Sequence, residues 1–289
     1  MSKSVGIVIP SYNQGIYLDK AIESVIQNKK NADIKIAVVD GGSDDDSLDI
    51  INAHRDELDY WCSEKDNGQA DAINKGIVKL QGCDYYMWLN SDDVYENVYS
   101  VRDIVKFAEE GNYNVVYGKS HFIDENDSIV GDYPIQKFSK KTLGKTCYLS
   151  QPSVLFSAEA VRNIGLLNVN LHMCLDYEYW IRLAQKYTFG FCDKYIGSTR
   201  LYSDTKTSTN QACNISEGLQ VIYYYYHYYP IEWVTAAFVE ANKNSLIRII
   251  PKRLLMMFLY PNKNRIANKY IESLGIKYLT ITKEQSVNI

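Results

Sequence analysis

The first third of the chain alternates two kinds of segment, and that alternation limits the folds open to it. SVGIVIP is an apolar, β-branched run stopped by Pro10, and LDKAIESVIQN then sets Leu18, Ile22, Val25 and Ile26 at helical spacing. IKIAVVD is a second apolar run, ending at Asp40. SLDIINAHRDEL predicts a second helix, LDYWCSEKD a short strand, GQADAINKGIVKL a third helix and CDYYMWLNSDD another strand. Strands that read as continuous apolar runs, each followed by a helix, are covered on both faces. The chain is therefore expected to be an α/β protein with a mostly parallel central sheet flanked by helices.

In such a sheet, ligands bind in the crevice beyond the carboxyl ends of the strands. Those ends carry Ser11, Tyr12 and Asn13, then Asp40, then Glu64, Asp66 and Asn67, and finally Asn90, Ser91, Asp92 and Asp93. Four strands thus deliver acids and hydrogen-bonding groups to one rim. Two adjacent carboxylates at a strand end suit a hard divalent cation that in turn clamps a diphosphate. They also suit a solvated turn, because Asp and Asn favour turns without any ligand. The company of the other strand ends favours the cation.

Beyond Val94 the pattern is less regular: a helix in VRDIVKFAEEG, a strand in NVVYGKSHFID, and a strand followed by a helix in QPSVLFSAEAVRNIG. LDYEYWIRLAQKY predicts an amphipathic helix with Leu175, Tyr179, Ile181, Leu183 and Ala184 to bury, and Trp180 reads as core. After about residue 215 the composition shifts to tyrosine-rich and basic helical segments. The expected division is an α/β domain over 1–215 and a C-terminal helical extension over 216–289.

That extension mixes Arg248, Lys252, Arg253 and Arg265 with Ile, Leu, Met and Phe. It reads first as a cap on the α/β domain, with its basic residues on the wet face. The alternatives are a peripheral membrane contact with an anionic leaflet and a homodimer interface. No apolar run approaches the roughly 20 residues of a spanning helix. The six cysteines stand singly, with no paired spacing for zinc or a disulfide framework, which fits a cytoplasmic setting, with any membrane contact at the inner face. A formal charge of −4 supplies no basic field for nucleic acid. The four histidines share no spacing and read as structural or surface residues. Gly41, Gly42 and Asp44 to Asp46 read as a turn.

Six segments in this order, VIPSYNQGIYLDKAIESVIQN, VVDGGSDDDSLDII, SEKDNGQADAINKGI, WLNSDD, QPSVLF and LDYEYWIRLA, resemble family 2 of the inverting glycosyltransferases, which have the GT-A fold. The resemblance covers about residues 4 to 208. It implies a nucleotide-sugar donor, most simply a UDP-sugar, and transfer to a hydroxyl of a glycan or lipid-linked acceptor in surface polysaccharide synthesis. It assigns the nucleotide base to the turn Pro10, Tyr12 and Asn13 and to Asp40. The family's DxD motif falls on NSDD, with Asn90 and Asp92 near the donor, Asp93 and Asp92 as ligands of Mn2+ or Mg2+, and the catalytic base on Asp176. A divalent ion there would act as Lewis acid and template for the departing diphosphate. A carboxylate at Asp176 would take the proton of the attacking hydroxyl.

Three positions depart from the family pattern. Asn90 replaces the more usual Asp. Ile73 and Asn74 stand where many members carry Arg-Asn, leaving Asp66, Asn67, Asp71 or Lys75 to make that contact. Tyr202 stands where a histidine is common, leaving Arg200 and Lys206 to counter phosphate charge. These departures keep open a degenerate module that binds nucleotide or glycan as a partner subunit. A nucleotidyltransferase would want a glycine-rich, basic loop for a triphosphate, and PSYNQGIYL has one glycine and no base.

Overall fold

The computed structural model describes residues 3–203, 209–243, 245 and 250–274. Among them nine strands form one sheet. The first half is β1 (Ser4–Ser11), α1 (Gly15–Lys29), β2 (Asp33–Asp40), α2 (Ser47–His54), β3 (Tyr60–Ser63), α3 (Gln69–Lys79), β4 (Tyr85–Trp88), β5 (Val94–Tyr95) and α4 (Ser100–Gly111). β6 (Val115–Ile123), β7 (Ile129–Asp132), α5 (Lys140–Leu143), β8 (Val154–Ser157), α6 (Ala158–Ile164), α7 (Leu175–Lys186) and β9 (Gly190–Arg200) follow. The last helices are α8 (Gln211–Tyr226), α9 (Ile231–Ala241), α10 (Lys252–Leu259) and α11 (Lys263–Ser273).

The sheet order is β3-β2-β1-β4-β8-β6-β9-β5, with β7 paired to β6. β1 to β4 run parallel, as the alternation predicts. β8 is antiparallel to both its neighbours, β5 opposes β9 and β7 opposes β6, so the sheet is mixed. The parallel register sets Ser11 beside Asp40 and Asp40 beside Ser63, which aligns the strand ends on one edge.

Side chains alternate across the strands with period 2. Tyr85 and Met87 of β4 join Ile7, Ile9 and Val38 in a layer closed by Leu18, Ile22 and Val25 of α1 and Ile104 of α4. Tyr86 and Trp88 face the other way and join Val8, Val39, Ile73 and Ile77 with Tyr179, Trp180 and Leu183 of α7. A tight approach in that layer is at Gly76 of α3, where a Cβ would lie 2.3 Å from Cγ1 of Val8.

The C-terminal helices have a small core of their own around Leu219, Val234 and Tyr270. α8 runs across the expected boundary at 215/216, and its Val221 and Ile222 belong to the α7 side of the main core. α10 buries Leu255 and Leu259 and leaves Met257 (73%) and Phe258 (76%) exposed. Among the described residues no helix is long and apolar enough to cross a membrane. Arg248 lies outside the described residues.

Gly76→Ala is expected to lower the melting temperature. Ala gains about 1 kcal/mol over Gly in a helix, but overpacking against a β-branched Val8 that cannot rotate away costs about 1–3 kcal/mol. Thermal unfolding of the variant checks the sign.

Candidate active site

The strand ends close around a cavity of about 1180 Å³. Its walls include Pro10, Tyr12, Asp66, Asn90, Asp92, Asp93, Asp176 and Arg200, so residues from β1, β4, β9, the loop after β3 and the start of α7 meet in one space. Asn13, Asp40, Asn67 and Asp71 stand outside its wall, and Lys206 lies outside the described residues.

At the β1 and β2 ends the polar groups are spent on turns. Asn13 takes a positive φ of 51°, its N–H donates to Oγ of Ser43 (2.8 Å) and its Oδ1 accepts from the Asp44 N–H (3.0 Å). Asp40, fully buried, accepts from the Ser43 N–H (2.9 Å), the Ser43 hydroxyl (2.5 Å) and the Ser63 hydroxyl (2.6 Å). It therefore ties the ends of β2 and β3 together instead of facing the cavity. Gly41, next in the chain, does face it: a Cβ there would lie 3.1 Å from Oδ2 of Asp66 and 3.2 Å from the Tyr12 ring. A glycine lets the exposed Tyr12 ring and the Asp66 carboxylate flank the same slot.

Oδ1 of Asp66 accepts from the Gly68 N–H at 2.8 Å, yet burial holds its carboxyl above the ordinary range. Oδ2 of Asp71 accepts from the backbone and side-chain amides of Asn67 and pairs with Lys75 at 3.6 Å, closing the start of α3 on itself.

The NSDD segment is a tight turn in which the Asp93 N–H donates to the Asn90 carbonyl (3.0 Å). Oδ1 of Asn90 accepts from Gln69 (2.7 Å), and its amide donates to Oδ2 of Asp93 (3.2 Å). Oδ1 of Asp93 accepts from the backbone N–H of Arg200 (3.0 Å), and Oδ2 of Asp92 accepts from the Tyr202 hydroxyl (2.9 Å). Asp93 is buried, and that burial, with the charge of Asp92 beside it, pushes its carboxyl well above the usual range. Burial also raises Asp92, against the pull of Tyr202 and Arg200.

Arg200 does not extend its guanidinium toward a diphosphate. The residue is 2% exposed; Nε donates to the Asp92 carbonyl (2.8 Å), Nη1 to the Asp124 carbonyl (2.6 Å) and Nη2 to Asp127 (2.6 Å), and the group lies 4.6 Å from the Tyr17 ring. It clamps the acidic turn to the loop after β6. Tyr202 joins it on Asp92 alone, through its hydroxyl.

Asp176 is the second residue of α7 and is half-buried; its Oδ1 accepts from the Tyr177 N–H at 2.7 Å. One turn on, Trp180 stacks on Trp88 of β4 with ring centroids 5.1 Å apart and planes 13° from parallel. This stack sets the spacing between the helix that carries Asp176 and the strand that ends in Asp92 and Asp93. Gln151 donates to the Trp88 carbonyl (2.6 Å) and lines the cavity, and the exposed His172 reaches the rim. Gln69 and Gln151 have no role assigned from the sequence, and Gly41 and His172, which read there as a turn residue and a structural or surface residue, also line the cavity. The QPSVLF motif is the one signal that could have pointed to Gln151.

Among the described residues no group of three or more His, Cys, Asp and Glu side chains surrounds one point. The pair Asp92 and Asp93 nevertheless fits magnesium or manganese, which are commonly held by one or two carboxylates plus substrate phosphates. Asp93, whose proton affinity is raised by burial and by Asp92, and Asp92, raised by burial, are the donors a divalent charge would relieve.

This architecture, a mixed sheet with helices on both faces and an acidic turn after the fourth strand, is the GT-A fold of nucleotide-sugar transferases. The profile of glycosyl transferase family 2 matches residues 6–163, more than half of the sequence, and the chain belongs to that family. It is 29% identical over 245 residues to an uncharacterized glycosyltransferase of Rickettsia typhi, covering 77% of this chain and 71% of the relative. It is 26% identical to the chondroitin synthase of Escherichia coli over 66% of this chain, spanning 28% of that longer protein. S. aureus TarS 1–349 in complex with UDP-GlcNAc superposes with a TM-score of 0.60 at 13% identity, covering 94% of this chain and 91% of TarS 1–349. The mannosyltransferase PcManGT of Pyrobaculum calidifontis, in complex with GDP-Man and Mn2+, superposes at 0.58 with 12% identity, over 96% and 88% of the two chains.

A carboxylate whose folded pKa lies above its unfolded value stabilises the folded state below that unfolded pKa and loses this contribution as pH rises through the folded one. In divalent-free buffer, wild type is therefore expected to lose melting temperature relative to Asp93→Asn as pH rises from about 4 through neutrality. A pH-independent difference between the two would contradict the buried-acid electrostatics.

Proposed function

We propose that this glycosyltransferase moves a single sugar from a UDP-sugar to a hydroxyl of a growing glycan or lipid-linked acceptor in surface polysaccharide synthesis, with inversion at the anomeric carbon. The observation that carries the reading is that the Asp176 carboxylate opens onto the same cavity as the Asp92 and Asp93 pair. An inverting displacement needs a base on one side of the anomeric carbon and charge compensation for the leaving diphosphate on the other. One space with acids from two separate elements suits that requirement.

In this reading the Tyr12 ring lies against the nucleotide base, with Asp66 across the Gly41 slot. Asp93, with Asp92, would hold Mn2+ or Mg2+, which supplies Lewis-acid stabilisation of the diphosphate as it departs. Arg200 holds the Asp92 and Asp93 turn at a fixed height through its backbone N–H and its Nε. Asp176 accepts the proton of the acceptor hydroxyl as the new bond forms. The donor complexes named for TarS and PcManGT support a nucleotide-sugar ligand and, for the latter, a manganese ion. The chondroitin synthase relative supports a polysaccharide product. α10, with Lys252 and Arg253 beside exposed Leu254, Met257 and Phe258, supports a peripheral contact with the inner face of the cell membrane from a cytoplasmic position.

The test is nucleotide release from a panel of UDP-, GDP-, dTDP- and CMP-sugars with manganese, magnesium or EDTA. One donor is expected to turn over, with metal dependence. Asp176→Asn should lower kcat by about 10²- to 10⁴-fold, the usual contribution of a positioned base, while calorimetry still finds UDP bound. Asp93→Ala should abolish metal-dependent turnover while circular dichroism stays native. Near-normal rates in Asp176→Asn would remove it as the base, and turnover undiminished by EDTA would remove the metal.

A further inference from the structure

We infer that Glu217, on the C-terminal helix α8, is a positioning residue for Asp176, so that the helical extension is part of the catalytic machinery; this rests on the reading of Asp176 as the base. Glu217 is 2% exposed. Its Oε1 accepts from the His172 N–H (2.9 Å), and its Oε2 accepts from the N–H groups of Met173 (2.8 Å) and Cys174 (2.9 Å). Those three residues lead directly into α7, of which Asp176 is the second residue.

The first N–H groups of a helix lack partners within it and carry the positive end of its dipole. In α7 the residue preceding the helix, Cys174, makes no side-chain cap of its own. A carboxylate from a distant element instead sets its negative charge just ahead of that end and, with its two oxygens on the N–H groups of the three residues leading in, fixes the direction in which the chain enters the helix. The Cys174 thiol ties the same loop to α8 again, donating to the Asn214 carbonyl (3.4 Å) and to its side-chain oxygen (3.2 Å). That thiol is pushed well above its ordinary pKa, first by burial and then by the charges of Glu217 and Asp176, so both carboxylates bear on one point. Farther along, buried Glu178 of α7 accepts from the Tyr225 hydroxyl of α8 at 2.5 Å.

The base-bearing turn is thus anchored to α8, whereas Tyr12, Asp66, Asp92 and Asp93 are anchored to the sheet edge. Burying a carboxylate is costly where apolar packing would serve. Here the charge and the paired oxygens do what an apolar side chain cannot, holding three N–H groups in one geometry. Loss of Glu217 should therefore move the base relative to a donor whose own contacts are intact. That lowers kcat at an unchanged donor KM, and an unchanged melting temperature and UDP-binding stoichiometry distinguish it from a loss of folded protein.

The experiment compares wild type, Glu217→Gln, Glu217→Asp and Asp176→Asn in the full chain. Turnover uses the panel sugar that gives the highest wild-type rate, and UDP binding with manganese is followed by calorimetry. Glu217→Gln is expected to lower kcat about 10- to 100-fold, the scale of a small misplacement of a reacting group. Its donor KM and UDP affinity should stay within about twofold of wild type. Glu217→Asp, which keeps the charge and both oxygens, should retain a higher kcat than Glu217→Gln. A wild-type kcat in Glu217→Gln, or a fall in kcat matched by a fall in melting temperature and in UDP-binding stoichiometry, overturns the inference.

Hydrogen exchange on the wild-type chain decides without any variant. Slow exchange at the amides of residues 172–174 supports the clamp, and exchange as fast as in an exposed loop overturns it. Full activity in Asp176→Asn with those amides still protected would identify the base reading, and not the clamp, as the error.

Discussion

The acidic turn at the end of β4 is the constraint on which the rest of the structure depends. Two neighbouring carboxylates in a buried position repel each other and resist ionisation. They stay there because the chain closes around them: the Arg200 N–H on Asp93, the Arg200 guanidinium on the Asp92 carbonyl, Tyr202 on Asp92 and Asn90 on Asp93. Arg200 reaches this position from the last residue of β9, and its remaining donors are taken by Asp124 and Asp127. The long strand β9 and the turn after β6 thus serve to hold a charge arrangement that would otherwise relax into solvent.

The second half of the site is set by packing. Trp88 and Trp180 stack in the layer between sheet and α7, and Trp180 lies one helical turn beyond Asp176. A protein interior transmits small displacements because it is close-packed, so the distance between the acidic turn and Asp176 follows from this stack. α7 in turn is gripped from its outer side by Glu217 and Tyr225 of α8. The cavity therefore depends on three layers: the sheet edge for the acidic turn, α7 for Asp176, and α8 for the position of α7.

Legibility in the sequence divides along physical lines. The parallel half of the sheet could be read because each strand is a local apolar run and each helix a local period, and NSDD could be read as a rim because it abruptly ends such a run. The strand in QPSVLF could be read too, but neither its antiparallel place between β4 and β6 nor the existence of β5 could, since nothing in four or two residues states which strands they join. The purpose of Asp40 was also hidden: its partners are Ser43 of an ordinary turn and Ser63 at the end of β3, and only the fold brings them to one carboxylate. Arg200 was legible as a cation near the site, but its partners are 73 to 108 positions away in the chain. Glu217 carries no local signal at all, lying 43 to 45 positions from the amides it holds and beyond the expected domain boundary at 215/216, which α8 crosses.

The most direct measurement is an anomalous-difference map from crystals grown with UDP and Mn2+. The account predicts one manganese peak inside the cavity, roughly 2.0–2.2 Å from a carboxylate oxygen of Asp93, hard-cation coordination distance, with the diphosphate on its far side and the base against Tyr12. Manganese bound elsewhere, or UDP seated outside the space shared by Asp93 and Asp176, would contradict it.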